Sequence, residues 1–224
     1  MQPTDHPGVY KKNDKLYTIN PDVCRGTKVY NEQLYTQDNV EYRSWNPFRS
    51  KLATAILKGL PVLIKPDFHV LYLGAATGTT VSHISDILTN GTIYAVESSP
   101  IATTGLLKVS APRTNIIPIL ADANHPERYH TIVPPVDLVY QDISQRNQAD
   151  IFSRNIQAYL KPDGTALIMV KARSIDVALK PKQAYDLVAT YLKEHNLIVK
   201  KTLDLTPFEK DHAALLVSRG KPIK

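Results

Sequence analysis

Cysteine is almost missing from this chain. Cys24 is the one thiol in 224 residues, which excludes an intramolecular disulfide and any zinc ribbon or finger. Long apolar runs are missing too, none approaching the ~20 residues of a membrane span, so no membrane contact is expected. Met1 to Gly8 hold no apolar stretch of signal-peptide type, and a reducing cytoplasm is the expected compartment. His69, His83, His125, His130 and His195 show no metal-ligand spacing, so no metal is expected either. Acids fall short of bases, 21 Asp+Glu against 27 Lys+Arg, a formal net charge of +6. That excess suits a polyanionic partner such as RNA, though a merely basic soluble protein carries the same balance.

What is there divides in two. Residues 1–48 read as a small antiparallel β domain, with alternating runs such as Lys15-Leu-Tyr-Thr-Ile19 between turn formers at Asn13-Asp14, Asn20-Pro21 and Gly26. Its tyrosines, Tyr10, Tyr17, Tyr30, Tyr35 and Tyr42, serve strand packing or a protein interface. In residues 49–224, apolar strands near 70–74, 93–97, 116–121, 136–141 and 165–171 alternate with helices near 79–89, 100–110, 147–160 and 182–195. Such alternation predicts a doubly wound α/β sheet, with Asn90-Gly91 and Pro162-Asp163-Gly164 ending helices. The tail breaks the pattern. Leu197–Leu205 and Ala213–Ser218 are strands with no helix between them, so an antiparallel end is predicted, as in a Rossmann-like S-adenosylmethionine-dependent methyltransferase fold.

The first strand stops at Gly74 and opens a turn through Ala75, Ala76, Thr77 and Gly78 into a helix at Thr79-Thr80. Later strands end in carboxylates: Glu97, Asp122 and Asp142. A glycine turn and acids at successive strand ends predict a nucleoside pocket at the carboxyl edge of the sheet. Glu97 is placed to accept the ribose hydroxyls and Asp122 an adenine amino group, with Ala123 against the ring. So many acids repel a pyrophosphate and suit the sulfonium of S-adenosylmethionine, and Ala76 stands where dinucleotide folds need a middle glycine. Each acid alone is an ordinary solvated strand end; three in phase make a site. Lys171 closes the apolar run Ala166–Val170, and Lys51 opens a helix that Ser50 caps. Beside Asp142, a partly desolvated lysine holds a substrate hydroxyl or loses its charge more readily. His212, before the last strand, is the candidate fourth member.

Trp45-Asn-Pro-Phe-Arg-Ser-Lys-Leu-Ala53, Val70–His83, Tyr94-Ala-Val-Glu97, Tyr140-Gln-Asp142 and Ile168–Ser174 together resemble the fibrillarin family in its short archaeal form. The resemblance spans nearly the whole chain, without the glycine-arginine-rich N-terminal extension of eukaryotic members. It implies a guide-RNA-directed ribose 2′-O-methyltransferase acting on rRNA, with tRNA as a second substrate class. It implies catalytic roles for Lys51, Asp142, Lys171 and His212. The cofactor contacts it implies are Thr79, Thr80, Glu97, Ser98, Asp122, Ala123, Asp142, Ile143, Ser144 and Gln145, beside the turn residues Gly74, Ala75 and Gly78. The implied partners are a Nop-type scaffold protein and a box C/D guide RNA carrying a kink-turn-binding protein. Ser98 departs from the family, which commonly has Phe there; Ile101 is the expected replacement wall for adenine, or cofactor binding is weaker. Three rival readings stay open: a guide-independent RNA ribose methyltransferase, a nicotinamide dehydrogenase, and a non-catalytic RNA-binding subunit.

Overall fold

A computed structural model of the chain describes residues 1–220, so the last four residues assigned above to the second domain, 221–224, lie outside the described residues. Near the N-terminus, β1 (Gln2–Pro3), β2 (Val9–Lys12), β3 (Lys15–Ile19), β4 (Leu34–Gln37) and β5 (Val40–Trp45) form an antiparallel sheet of order β1-β2-β3-β5-β4. Two hairpin turns set its register. Asn13 and Asp14 have φ of 48° and 59°, and Asp38 and Asn39 have 51° and 63°. Paired left-handed residues make the turn whose twist matches that of the flanking strands, and Asn and Asp tolerate that conformation best among residues with a side chain.

Helix α1 (Lys51–Leu57) links this sheet to a larger one. There β6 (His69–Leu73), α2 (Thr79–Ile87), β7 (Thr92–Glu97), α3 (Pro100–Ser110) and β8 (Ile116–Leu120) build one half. The chain then crosses back for β9 (Val136–Gln141), α4 (Gln148–Tyr159), β10 (Leu160–Lys171), α5 (Ala172–Ile175) and α6 (Pro181–Glu194), ending in β11 (Leu197–Asp204) and β12 (His212–Arg219). The order β11-β12-β10-β9-β6-β7-β8 places the switch in strand order between the parallel β6 and β9, where Leu73 pairs with Gln141. That crevice is where open α/β sheets bind ligands.

The expected alternation of strands and helices is present, the last strand is antiparallel as expected, and one detail differs. Pro162-Asp163-Gly164 does not stand outside the sheet as a turn: β10 begins at Leu160, and its pairing to β9 breaks between Leu160 and Thr165. Proline has no N–H for the ladder, so the strand bulges there. The final strand does not sit at the edge. β12 inserts between β10 and β11, antiparallel to both, and is buried along most of its length. β11 takes the edge and carries the exposed Lys200 and Lys201, charges that discourage pairing with another chain.

The two sheets share one core. Val9, Leu16 and Trp45 pack in the same apolar cluster as Val81 and Ile84 of α2. A buried charge cluster crosses the same boundary. Arg43, fully enclosed, donates from Nη1 to Asp86 Oδ2 at 2.8 Å, from Nε to Glu32 Oε1 at 2.8 Å and from Nη2 to Ser82 Oγ at 2.9 Å. Thr18 Oγ1 donates to Asp86 Oδ2 at 2.7 Å, and the Trp45 ring stacks on buried His83 at 4.9 Å. Arg43→Ala would leave buried Glu32 without a cation and Asp86 with Arg113 alone, at 3.4 Å, and it is expected to lower the free energy of unfolding by about 3–5 kcal/mol. A drop in the urea midpoint at constant denaturant slope is the check.

Candidate active site

Beyond the carboxyl ends of β6 to β9 lies a cleft of about 270 Å³. Its floor is the turn after β6. Gly74 has φ of +82°, and a Cβ there would stand 2.6 Å from the carbonyl oxygen of Asp142, so glycine is required on both counts. Its N–H and that of Ala75 both donate to Val96 O, at 2.9 and 3.0 Å. Ala76 is left-handed at φ 48°, which costs an L-residue roughly 1–2 kcal/mol. The turn is held by Glu97, whose Oε2 accepts from Ala76 N–H and Oε1 from Ser99 N–H, both at 2.8 Å. One carboxylate thus ties the β6 turn to the start of α3 while lining the cleft.

Asp122 Oδ1 accepts from the backbone N–H and the side-chain amide of Asn124, each at 2.9 Å. These bonds hold the Asp122 carboxyl below the usual carboxylate range. The Asn124 amide also reaches Gln145 Oε1 at 3.1 Å, and Asn147 donates to Asn124 Oδ1 at 2.7 Å. Asn124, which sequence reasoning missed, therefore joins the loops after β8 and β9. Its only signal was its place two residues beyond a strand-ending aspartate, a common setting for a side-chain turn.

Ala123, Ile143, Ser144 and Gln145 line the cleft as expected, and Ser98 does so from the far wall. Ile101 does not; it lies in α3 and is 88% exposed, so the apolar lining beside Ser98 comes from Val96, Ala123 and Ile143. Ala75, Gly78, Thr79 and Thr80 do not line the cleft. Gly78, at φ +91°, lets α2 start, and buried Thr80 donates to Ser50 Oγ at 3.0 Å. Ser50 caps α1 by accepting from Ala53 N–H at 3.3 Å, so Thr80 steadies the helix that begins with Lys51.

At one end of the cleft, beside Asp142, the reacting-group candidates fall into two pairs. Lys51 Nζ lies 2.9 Å from both carboxylate oxygens of Asp142. Asp142 is held in turn by its own N–H, which donates to Leu73 O at 2.9 Å. Lys171 pairs directly with His212 across β10 and β12, which puts their side chains on one face. The sequence reading set a lysine beside Asp142 without fixing which of the two it is. The structure gives Asp142 to Lys51, and Lys171 has no ion pair among the described residues. His212 is buried, and its Nδ1 sits 2.7 Å from Lys210 O. A carbonyl only accepts, so Nδ1 carries the proton and Nε2 keeps its lone pair. Burial and the charge of Lys51 hold the imidazole below its ordinary value, against the opposing pull of Lys210 O, Glu209 and Asp142.

A second missed residue supports this group. Gln148, fully buried in the first turn of α4, accepts from Lys171 N–H at 3.1 Å and donates to Gln145 O at 3.0 Å. Gln141 Nε2 donates to Gln148 O at 2.6 Å. No group of three or more His, Cys, Asp or Glu among the described residues is arranged to hold a metal ion.

A parallel core with a reversed strand beside β10, and acids on the strand ends around a glycine turn, define the Rossmann-like methyltransferase class. The Fibrillarin family model matches residues 1–221. The fibrillarin-like rRNA/tRNA 2′-O-methyltransferase of Methanothermobacter thermautotrophicus is 46% identical over 213 residues, 95% of this chain and 94% of that protein. Aeropyrum pernix fibrillarin, solved with natively bound S-adenosyl-L-methionine, superposes with a TM-score of 0.87 at 42% identity, covering 96% of each chain. The fibrillarin chain of a fibrillarin/Nop5p complex gives 0.88 at 42% identity, covering 96% of this chain and 98% of that one. The chain belongs to the fibrillarin family.

Gly74→Ala is expected to destabilise the fold by about 2 kcal/mol or more, from the positive φ and the clash with Asp142 together. Thermal melts against wild type measure it, and a melting temperature within error of wild type would refute the cradle described.

Proposed function

We propose that this chain is the catalytic subunit of a box C/D ribonucleoprotein, methylating the ribose 2′-hydroxyl of rRNA and tRNA at positions chosen by a guide RNA. The observation that carries the reading is the convergence of Lys51, Asp142, Lys171 and His212 at the mouth of a cleft lined by Glu97 and Asp122. Relatives bearing the rRNA/tRNA 2′-O-methyltransferase name, at 46% identity over almost their full length, support it.

The cleft fits S-adenosylmethionine by its donor set. Glu97 and Asp122 are acceptors with lone pairs to spare, suited to ribose hydroxyls and an amino group, and Val96, Ala123 and Ile143 are apolar enough for a purine. When bound, the sulfonium supplies an electrophilic methyl, whose transfer to oxygen leaves S-adenosylhomocysteine and frees one proton. The chain's residues must orient the hydroxyl and take that proton. Lys171 holds the 2′-hydroxyl and relays its proton, and His212 Nε2 is the neighbouring acceptor. Lys51 is fixed by Asp142, so its charge stays beside the ribose oxygen and stabilises the negative charge that develops there. Positioning and a fixed field supply most of the acceleration.

The scaffold partner is a Nop-type protein, in line with the fibrillarin/Nop5p complex, and a kink-turn-binding protein completes the particle. We assign the chain to the cytoplasm, in keeping with its single cysteine and its archaeal relatives. Among the described residues no helix is long and apolar enough to cross a membrane.

In the reconstituted particle with a labelled methyl donor, one guide-specified ribose is expected to gain the label. Omitting guide or scaffold should abolish it. Lys171→Ala should lower the single-turnover rate by roughly 10²–10⁴-fold while calorimetry finds donor binding unchanged. Near-normal turnover in that variant would remove Lys171 from the mechanism.

The pH profile tests His212 separately. Its ordinary value is 6.5, and in the fold it is held lower, so the neutral acceptor persists into mildly acidic solution. The rate should fall as pH drops through that lowered value, because protonation removes the Nε2 lone pair. Stability linked to this histidine should be complete above 6.5 and fade below it, since the unfolded chain binds the proton first. His212→Gln is expected to erase the acidic limb of the rate profile; a limb that persists would assign it to another group.

A further inference from the structure

Beside the reacting groups lies a second and larger hollow, about 820 Å³, that the chemistry above leaves unused. It runs between the N-terminal sheet and the turn before α1, and its walls include Trp45, Phe48 and Phe208. Phe48 is 63% exposed, and its ring meets that of Phe208 at 5.2 Å and 59°. With Phe208 it forms an aromatic pair on the wall of the hollow, open to an incoming ligand. The turn itself is built: Phe48 N–H donates to Asn46 Oδ1 at 2.9 Å, and Arg49 N–H to Asn46 O at 3.0 Å.

The charge of this hollow is positive. Its two acids are both spoken for, Asp14 by Lys11 at 3.0 Å and buried Glu32 by Arg43 at 2.8 Å. Lys15 and Arg49 also line it, both exposed and without an ion pair among the described residues. Position matters as much as charge. Phe48 precedes Lys51 by only three residues, a reach of about 11 Å at most. Phe208 belongs to the loop that delivers His212, and the ammonium of Lys58, which ends α1, bonds to Thr206 O in that same loop.

We propose that this hollow seats the RNA next to the target nucleotide, with Lys15 and Arg49 on phosphates and Phe48 with Phe208 against the neighbouring sugars. The inference rests on the methyltransferase reading and deepens it. A ribose 2′-hydroxyl in a paired RNA lies in the wide, shallow minor groove, so whatever surface flanks the reacting groups meets sugars and phosphates there. Apolar rings suit the sugar faces, and unpaired cations suit the phosphates. A polyanion fits this hollow better than a protein segment, because its free charge is all of one sign.

The test uses the full particle of this chain, scaffold, kink-turn-binding protein and guide, with target RNA titrated at several salt concentrations. The doubly substituted Lys15→Gln, Arg49→Gln chain should bind target RNA more weakly, with the slope of log affinity against log salt smaller by about two. Phe48→Ala should raise KM for RNA about tenfold with kcat and donor affinity unchanged, and Phe48→Tyr should restore it. Phe48 is largely solvated, so these variants are expected to fold, and melting curves confirm it. An unchanged salt slope overturns the proposal. So does loss of scaffold assembly in Phe48→Ala, which would give the hollow to a protein partner. A wild-type particle that transfers no methyl group would sink the methyltransferase reading instead, while the salt slope still reports on the hollow.

Discussion

The site depends on one junction, the place where the ends of β6 and β9 lie side by side. Asp142 takes part in it three ways. Its N–H is bonded to Leu73 O, its carbonyl excludes any side chain at position 74, and its carboxylate is held by Lys51. Because strand order reverses there, no crossover helix covers the gap, and the backbone turns on both sides leave a crevice. Remove the junction and the cleft, the ion pair and the placement of α1 lose their common reference.

Lys51 connects that junction to the rest of the molecule. It begins α1, whose cap Ser50 is bonded to Thr80 at the start of α2, while α2 carries Asp86 to meet Arg43 of the N-terminal sheet. A single path of hydrogen bonds and ion pairs therefore leads from the small sheet to the reacting groups. Burying Arg43, Asp86 and Glu32 is costly unless every charge is paired. All three are, which makes the boundary between the two sheets one of specific polar contacts as well as apolar packing. On the other side, Gln148 and Gln141 do for Lys171 what Ser50 and Thr80 do for Lys51.

Much of this was legible beforehand. Val70–Leu73 of β6 and Leu138–Tyr140 of β9 are continuous apolar runs, since a central parallel strand is buried on both faces, and a glycine or an acid follows within two residues. The same reading placed Glu97, Asp122 and Asp142 at neighbouring strand ends. Other features left no local trace. Which lysine pairs with Asp142 could not be read, because Lys51 is 91 residues away and nothing near it in sequence tells of the contact. Ile101 was expected at the adenine wall on sequence nearness alone, but the direction of a side chain at a helix start is set by the packing of that helix. Asn124 and Gln148 went unremarked because polar residues in loops and first turns are common, and their bonds are made to other loops.

The order of elements, the burial of each strand and the position of the glycine turn were determined by the chain itself. Hydrophobic period and backbone conformational freedom are local properties, and they survive reading one residue at a time. The tertiary structure alone decided that β12 slips between β10 and β11, setting His212 opposite Lys171. It alone decided that the N-terminal sheet closes on α2 through buried charges, and that Phe48 meets Phe208. These are contacts between distant segments, set by the fit of whole surfaces and by the need to pair every buried charge, which no local pattern encodes.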